Sequence, residues 1–292
     1  MAQPFSLRIF VVDGDPDGLR IVERSNWIGK AVVFPRALLP NLKQRDEFTQ
    51  TGIYLLLGPR EDGEGEMIYI GEGDPVRPRF ESHHAQKDFW TWAVFFVAGQ
   101  GQLNKAHVQY LESKLIFLAK SAKRLPLDNV NQSSEPTLSE ADLADMQVFL
   151  ENMLGILPVL GVHAFEMPRS REQGQKATAL VCHGKGIEAT GFESSQGFVV
   201  KAGSQAVLET VPSMKQYVRG MYDLRLDLIE SGVLAQKEDY YVFTQDYVFS
   251  SPSTAAAVVL GRSANGRTDW KDKNGRTLKQ IQEAVTSIDS FD

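Results

Sequence analysis

Three short apolar runs between residues 52 and 98 constrain the fold of this chain more than any other feature. They are GIYLLLG, EMIYIG and TWAVFFVA, and the polar, glycine-rich stretch PREDGEGE separates the first two. That arrangement predicts a β-hairpin. The third run is almost continuously apolar, which is typical of a strand that is covered on both faces. We therefore expect a small antiparallel sheet whose third strand is central.

A helix is predicted directly after the hairpin. Asp74-Pro75 has the form of an N-cap followed by a proline at the first helical position. A helix from there carries Arg79 and His83 on one face, because residues four apart are neighbours on a helix. The alternative is a solvated helix face with no chemical role.

A longer helix is predicted from Leu103 to about Arg124, on the apolar stripe formed by Val108, Leu111, Leu115 and Leu118. Glu112 lies one turn from both Val108 and Ile116, so its carboxylate borders the buried face. A lone Glu in that place is ordinarily solvated, and only its neighbours can give it a function. A further helix is predicted from Glu140 to about Leu157, started by Ser139 and Asp142.

The rest of the chain predicts an α+β protein of more than one domain. Two strands are indicated before residue 50, by SLRIFVV and KAVVFP. The sequence after Gly161 is rich in Gly and Ser between short alternating segments, which is typical of β-hairpins. One amphipathic helix that ends at Gly232 is predicted for SMKQYVRGMYDLRLDLIESG. A strand pair is predicted for DYYVFTQDYVFSSP, and a helix of small residues for PSTAAAVVLG. We expect a β-rich extension over 1–50, a domain over 51–160 and a smaller α+β domain over 161–292.

Composition limits the class of protein. The chain has 292 residues, a net charge of −6 and one cysteine, Cys182, which excludes an internal disulfide and favours a reducing compartment. No leader-like segment and no apolar run of about 20 residues is visible, so a cytoplasmic protein without a membrane span is expected. Residues 261–280 carry six basic and two acidic side chains, a local charge of +4.

A calcium-like run occurs near the start of the chain. Asp13, Asp15, Asp17 and Gly18 match the beginning of an EF-hand loop. The twelfth position, which should supply a bidentate Glu, is Arg24. The run therefore predicts a turn rather than a calcium site.

The tripeptides Gly52-Ile53-Tyr54 and Tyr69-Ile70-Gly71 resemble the signature of the GIY-YIG nuclease superfamily. The family pattern continues with an Arg on the first helix, a His or Tyr one turn later, a Glu on the next long helix and an Asn in the loop after it. Those places hold Arg79, His83, Glu112 and Asn129, with Asn131 as a competitor for the last. The resemblance covers roughly residues 51–150. It implies a three-stranded antiparallel sheet flanked by helices and a catalytic set made of these residues.

The chemistry of phosphodiester hydrolysis fits these residue types. Glu112 supplies one hard oxygen ligand for Mg²⁺ or Mn²⁺, which keeps waters and takes substrate phosphate for its other ligands. Arg79 can hold phosphate oxygens in a bidentate fork. Tyr54 and Tyr69 on paired strands would point to one place. The resemblance implies that Tyr54 contacts or deprotonates the attacking water, that His83 moves a proton or holds the phosphate, and that Asn129 orients other residues.

Two features depart from the family pattern. His83 stands where some relatives use Tyr. Glu72 directly follows the YIG tripeptide, where a small polar residue is common. A carboxylate near a phosphate either repels it or joins the metal, so the number of metal ligands is left open.

The C-terminal stretch FSSPSTAAAVVLGRSANGRTDWKDKNGRTL resembles the RAMA-type domain that accompanies restriction enzymes and adenine methylases. The resemblance implies DNA binding, and the local positive charge is consistent with phosphate contacts. Trp270 either stacks on DNA or is a core residue. The candidate DNA contacts are Arg262, Arg267, Lys271, Lys273 and Arg276.

These observations predict a divalent-metal-dependent DNA endonuclease in a restriction or phage-defence setting. Two alternatives stay open: a non-catalytic reader of DNA or modified DNA, and a nuclease subunit that is active only within a larger complex. The acidic charge balance favours the second alternative, because weak DNA affinity would need a partner's help. The sequence does not decide between a homodimer and other partner subunits.

Overall fold

The computed structural model describes residues 4–60, 65–99, 101–129, 135–167 and 178–288, with side chains described up to residue 284. The chain divides into two compact units, Met1–Met167 and Pro168–Asp292. Both units combine helices with antiparallel sheets, which confirms the expected α+β class.

The first unit is built on one six-stranded antiparallel sheet with the strand order β1-β2-β3-β6-β4-β5. Its strands are β1 (Leu7–Val11), β2 (Arg20–Arg24), β3 (Gly29–Pro35), β4 (Gly52–Pro59), β5 (Glu66–Gly73) and β6 (Trp92–Ala98). The three apolar runs form β4, β5 and β6, with β6 between β3 and β4. Residues 1–50, which we expected as a separate extension, contribute β1, β2 and β3 to this same sheet.

Helices cover both faces of this sheet, which explains why the central strand β6 is apolar at every position. The helices are α1 (Leu39–Leu42), α2 (Arg77–Gln86), α3 (Lys105–Ala122) and α4 (Glu140–Ile156). In β4, Ile53 and Leu55 pack in one core with α3 and α4. Tyr54 and Leu56 point to the other face and pack with Phe80 of α2. The edge strand β1 is less covered, and its Ile9 and Phe10 are about half exposed.

The start of α4 is as predicted, α3 begins two residues later than predicted, and the start of α2 differs. The Asn104 side chain accepts a hydrogen bond from the His107 amide at the start of α3, and Ser139 does the same for Asp142 at the start of α4. The predicted N-cap at Asp74-Pro75 is wrong, because α2 begins at Arg77 without a side-chain cap. The Asp74 carboxylate instead accepts a hydrogen bond of 2.6 Å from Oγ1 of Thr51.

One helix among the described residues is long and apolar enough to cross a membrane. It consists of α4 and the 3-10 turn Leu157–Leu160 that continues it, 21 residues in all, with a mean hydropathy of 1.4 over its most apolar 18 residues. The sequence expectation considered unbroken apolar runs only and missed this stretch, which Asp145 and Glu151 interrupt. Its Met153 and Ile156 are buried in the core with the sheet and α3. Core helices of soluble proteins can be equally long and apolar, so this helix is weak evidence for a membrane span.

The second unit contains two small antiparallel sheets. Strands β13 (Tyr247–Phe249), β9 (Gly197–Val200), β8 (Ile187–Ser194), β7 (Leu180–Gly184) and β14 (Trp270–Lys271) form the larger one in that order. Strands β10 (Gln205–Val207), β12 (Tyr240–Phe243) and β11 (Leu234–Gln236) form the smaller one. The predicted pairing of the two strands in DYYVFTQDYVF is wrong, since β12 and β13 belong to different sheets.

The helices of the second unit are α5 (Pro212–Tyr217), α6 (Arg219–Glu230), α7 (Pro252–Leu260), α8 (Gly266–Asp269) and α9 (Leu278–Ile288). The single helix predicted over 213–232 is divided into α5 and α6 at Val218, whose backbone leaves the helical region. Helix α7 lies in the core, with every residue from Ala255 to Leu260 buried. Arg225 of α6 is also buried, and its guanidinium donates to the carbonyls of Val207 and Val258.

Candidate active site

Two tyrosines on adjacent strands occupy the same face of the first sheet. Tyr54 of β4 lies opposite Gly71 of β5, and Tyr69 lies opposite Leu56, two positions further along. The ring centroids of the two tyrosines are 6.2 Å apart. Tyr54 is fully buried and Tyr69 is half-buried. The predicted convergence of the tyrosines is therefore present as a diagonal cross-strand pair.

Gly71 makes room for the phenol of Tyr54. A Cβ atom on Gly71 would lie 2.4 Å from Oη of Tyr54 and 2.8 Å from Cε1 of Tyr69. Both distances are shorter than real Cβ contacts, so any side chain here would displace one of the two rings. The last glycine of the YIG tripeptide is thus required by the packing of the two tyrosines.

His83 completes an aromatic cluster with the tyrosines. It lies on α2, it is buried, and its Nε2 is 2.8 Å from the hydroxyl of Tyr54. Its ring centroid is 4.8 Å from that of Tyr69. Burial, together with the charges of Lys87 and Arg79, lowers the pKa of His83 to about 4, so the imidazole is neutral at pH 7.

The hydroxyl of Tyr54 is held in its protonated form. Burial is the main cause that raises its pKa, and the neighbouring Tyr69 and the carboxylates of Glu112 and Glu72 raise it further, while Arg79 opposes them. Burial and Glu112 also raise the pKa of Tyr69. The contact between Tyr54 and His83 therefore joins a neutral phenol to a neutral imidazole, each of which can give or take a proton.

Arg79 lies one turn before His83 on α2, at the exposed margin of the cluster. Its Nε donates to the carbonyl of Glu72 at 3.4 Å. Its positive charge acts to lower the pKa values of Tyr54, Tyr69 and His83. Arg79 and His83 are brought to the same site, as the i, i+4 spacing predicts.

Glu112 lies on a different helix from Arg79 and His83 and acts on the tyrosines through its charge. It lies on α3, which packs against the edge strand β5, and its side chain is buried. Its negative charge raises the pKa of both tyrosines. Among the described residues no group of three or more Asp, Glu, His or Cys side chains is placed to hold a metal ion. A divalent cation here would therefore rely on one carboxylate, waters and a ligand phosphate, a donor set that suits Mg²⁺.

Asn129 is bound to the strand that carries Tyr69. Its Oδ1 accepts from the Ile70 amide at 2.9 Å, and its Nδ2 donates to the Ile70 carbonyl at 2.7 Å. Since Ile70 stands between Tyr69 and Gly71, Asn129 acts on the site by fixing the backbone of β5. Asn131, the competing candidate, lies outside the described residues.

Lys87 and Asp128 also belong to this cluster, although the sequence analysis did not include them. Nζ of Lys87 lies 4.5 Å from the ring centroid of Tyr69 and 2.5 Å from Oδ2 of Asp128. The spacing of Arg79, His83 and Lys87 by four residues was the available signal for the lysine. Asp128 had no such signal, because a backbone pairing with Ile68 of β5 sets its position.

An open groove of about 1170 Å³ adjoins the cluster where Lys87 and Asp128 meet. It lies at the end of α2. Its other lining residues are Pro59, Arg60, Met67, Gln86, Asp88, Phe89, Thr91 and Pro126.

The candidate DNA contacts of the second unit differ in how much charge they present. Arg262 pairs with Asp269 at 3.0 Å, and Arg276 pairs with the buried Asp272 at 2.8 Å. Arg267 is exposed, and its Nε donates to Gln282. Lys271 and Lys273 are both exposed on either side of Asp272.

Trp270 is a core residue. It is fully buried, its ring packs 4.6 Å from that of Phe198, and its Nε1 donates to the carbonyl of Pro252. It does not project from the surface, so the stacking role considered from the sequence is excluded in this arrangement.

Comparisons with known proteins give one match. Residues 180–282 match the family model of DUF4357, a domain of unknown function. No curated protein and no solved structure matches the chain.

Proposed function

We propose that this protein is a divalent-metal-dependent DNA endonuclease that hydrolyses phosphodiester bonds in a restriction or phage-defence setting, in the cytoplasm. The observation that carries the proposal is the hydrogen bond between Tyr54 and His83, within reach of the charges of Arg79 and Glu112. Such a cluster offers a proton acceptor, a phosphate-binding cation and a metal-binding carboxylate around one point. The resemblance to the GIY-YIG nucleases supports the same assignment.

The geometry favours a proton relay over a free tyrosinate. The raised pKa of Tyr54 makes ionisation of the phenol alone unfavourable. His83 is neutral and has Nε2 in contact with the hydroxyl, so it can accept the phenol proton as the phenol accepts one from the attacking water. The relay keeps the net charge on Tyr54 near zero, which is what a buried oxygen requires.

Arg79 and Glu112 would act on the charges of the phosphate and the metal ion. Arg79 would hold non-bridging phosphate oxygens in a bidentate fork. Glu112 would hold Mg²⁺ or Mn²⁺, which when bound stabilises the negative charge that develops on phosphate and leaving-group oxygens. Tyr69, whose hydroxyl shares the face of Tyr54, would donate a hydrogen bond to the same phosphate.

We propose that the second unit binds DNA and reads its sequence or modification. The exposed Lys271, Lys273 and Arg267 support phosphate contacts. Arg262 and Arg276 contribute less, because each is already paired with a carboxylate. This internal pairing, added to a net charge of −6, favours as second candidate a nuclease whose DNA affinity depends on a partner subunit.

Plasmid cleavage with Mg²⁺ or Mn²⁺ tests the proposal. The wild-type chain should convert supercoiled plasmid, and Glu112→Gln should abolish cleavage while DNA affinity stays nearly unchanged, because the lost group acts through a cation. Equal cleavage by the variant would remove Glu112 from the site. Binding of DNA without cleavage by the wild type would favour the non-catalytic reader or the partner-dependent subunit.

A further inference from the structure

Glu72 is a buried carboxylate with a single hydrogen-bond donor among the described side chains. Its side chain is 6% exposed. Oε1 accepts from Nζ of Lys105, while Oε2 is buried without a hydrogen-bond partner among the described residues. A buried charge is costly unless it is compensated. The compensation of this carboxylate therefore depends on one ammonium group.

The charge of Glu72 reaches the candidate catalytic groups. Its backbone carbonyl accepts from Nε of Arg79, and its carboxylate is one of the charges that raise the pKa of Tyr54. An uncompensated carboxylate here would repel a phosphate bound at Arg79 and would oppose negative charge on the Tyr54 oxygen.

Lys105 is placed on the same helix as the metal-binding candidate. It begins α3, seven residues before Glu112, so the two side chains leave the same face of the helix two turns apart. The Lys105 side chain is about half exposed, whereas that of Glu72 is buried.

We propose that Lys105 is a positioning residue that neutralises Glu72 and so keeps the site receptive to a phosphate. The proposal rests on the proposed function, since a phosphate is the group that the bare carboxylate would repel. The ammonium occupies Oε1 of Glu72, so in this proposal the carboxylate serves as the partner of Lys105 and not as a metal ligand.

A double-mutant cycle on the full chain tests the ion pair. Lys105→Met should lower kcat/KM for DNA cleavage by about 10- to 100-fold, because it leaves a like charge beside the phosphate. Glu72→Gln should stay within about threefold of the wild type, and Glu72→Gln/Lys105→Met should return to the level of Glu72→Gln. Lys105→Arg should retain most activity. Lys120→Met, an exposed lysine on the same helix, is the matched control and should behave as the wild type.

Two results of the cleavage assays would overturn the proposal. A double variant as impaired as Lys105→Met would show that the ammonium itself contacts substrate. A folded Glu72→Gln protein without activity would show that the carboxylate is needed for its own chemistry. If the wild type does not cleave DNA, the proposed function fails, and the ion pair is then judged by DNA affinity from fluorescence anisotropy. The variants should rank in DNA affinity as they do in cleavage. Equal affinity of Lys105→Met and wild type would reject the neutralising role.

Discussion

The hydroxyl of Tyr54 lies 2.8 Å from Nε2 of His83, inside a cluster where burial keeps both groups uncharged. The two residues are 29 positions apart in the chain. They meet because α2 packs on the face of the sheet to which Tyr54 of β4 points. A pair of neutral groups in contact is poised for proton transfer in either direction, and its state depends on pH.

The unfolding free energy should fall as pH decreases from about 6.5 to about 4. The unfolded His83 takes up its proton near pH 6.5, whereas the folded protein takes it up only near pH 4. Between these values the unfolded state holds more protons, so acid favours unfolding, by about 2 kcal/mol at pH 5 relative to pH 7. Urea unfolding at the two pH values measures the difference.

His83→Gln should remove most of this pH dependence, and His84→Gln, the adjacent position on α2, should keep it. A wild-type slope in His83→Gln would place the titrating group elsewhere. Cleavage by the folded protein should decline only as the pH approaches about 4, because a protonated His83 cannot accept the proton of Tyr54.

Arg79→Lys should lose most of the cleavage activity although the positive charge is kept. The lysine ammonium cannot form the bidentate fork that a guanidinium offers to phosphate, so we expect a loss of about 10²-fold, as for other groups that stabilise developing charge. Arg77→Lys, on the same helix, is the matched control and should change activity little. Steady-state kinetics of both variants decide the point, and equal losses would indicate a general effect on α2.

Gly71→Ala should damage both stability and activity. The new methyl group would overlap the Tyr54 and Tyr69 rings, and overpacking of this kind costs about 1–3 kcal/mol. Gly99→Ala is the control, because the nearest atom to its added Cβ is 3.6 Å away on Gln102. Thermal unfolding and cleavage of the two variants should differ clearly; similar behaviour would show that the space at Gly71 is not needed.

Lys271→Ala/Lys273→Ala should weaken DNA binding and make it less dependent on salt. Each lost phosphate contact lowers the slope of log affinity against log salt by about one. Lys237→Ala, another exposed lysine of the second unit, should leave the slope unchanged. Fluorescence anisotropy at several salt concentrations provides the slopes, and an unchanged slope in the double variant would move the DNA contact away from this loop.

Much of the first unit could be predicted because its signals are local. Apolar strands β4, β5 and β6 and the capped helices α3 and α4 follow from periodicity and from side chains within three residues of each helix start. The start of α2 was wrong for a physical reason that no local pattern contains: the Asp74 carboxylate is taken by Thr51, 23 residues earlier.

The candidate site shows the same division. The shared position of Arg79 and His83 follows from helical spacing. The ion pair between Glu72 and Lys105 could not be predicted, because its partners are 33 residues apart and meet only when α3 packs on β5. The hydrogen bonds of Asn129 also could not be predicted, because its partner is the backbone of Ile70 and a backbone partner leaves no pattern in the sequence.

The segment from Pro126 to Asn129 has a consequence for solubility. Its backbone and the Asn129 amide occupy the outward N–H and C=O groups of Ile68 and Ile70, so the β5 edge cannot serve as a template for another strand. Asn129→Ala would uncover the backbone groups of Ile70 on that edge and should promote self-association on concentration. The opposite edge has no such cover among the described residues: β1 pairs with β2 alone and exposes Ile9 and Phe10. Aggregation of the intact protein should therefore begin at β1, and a lysine in place of Phe10 should suppress it.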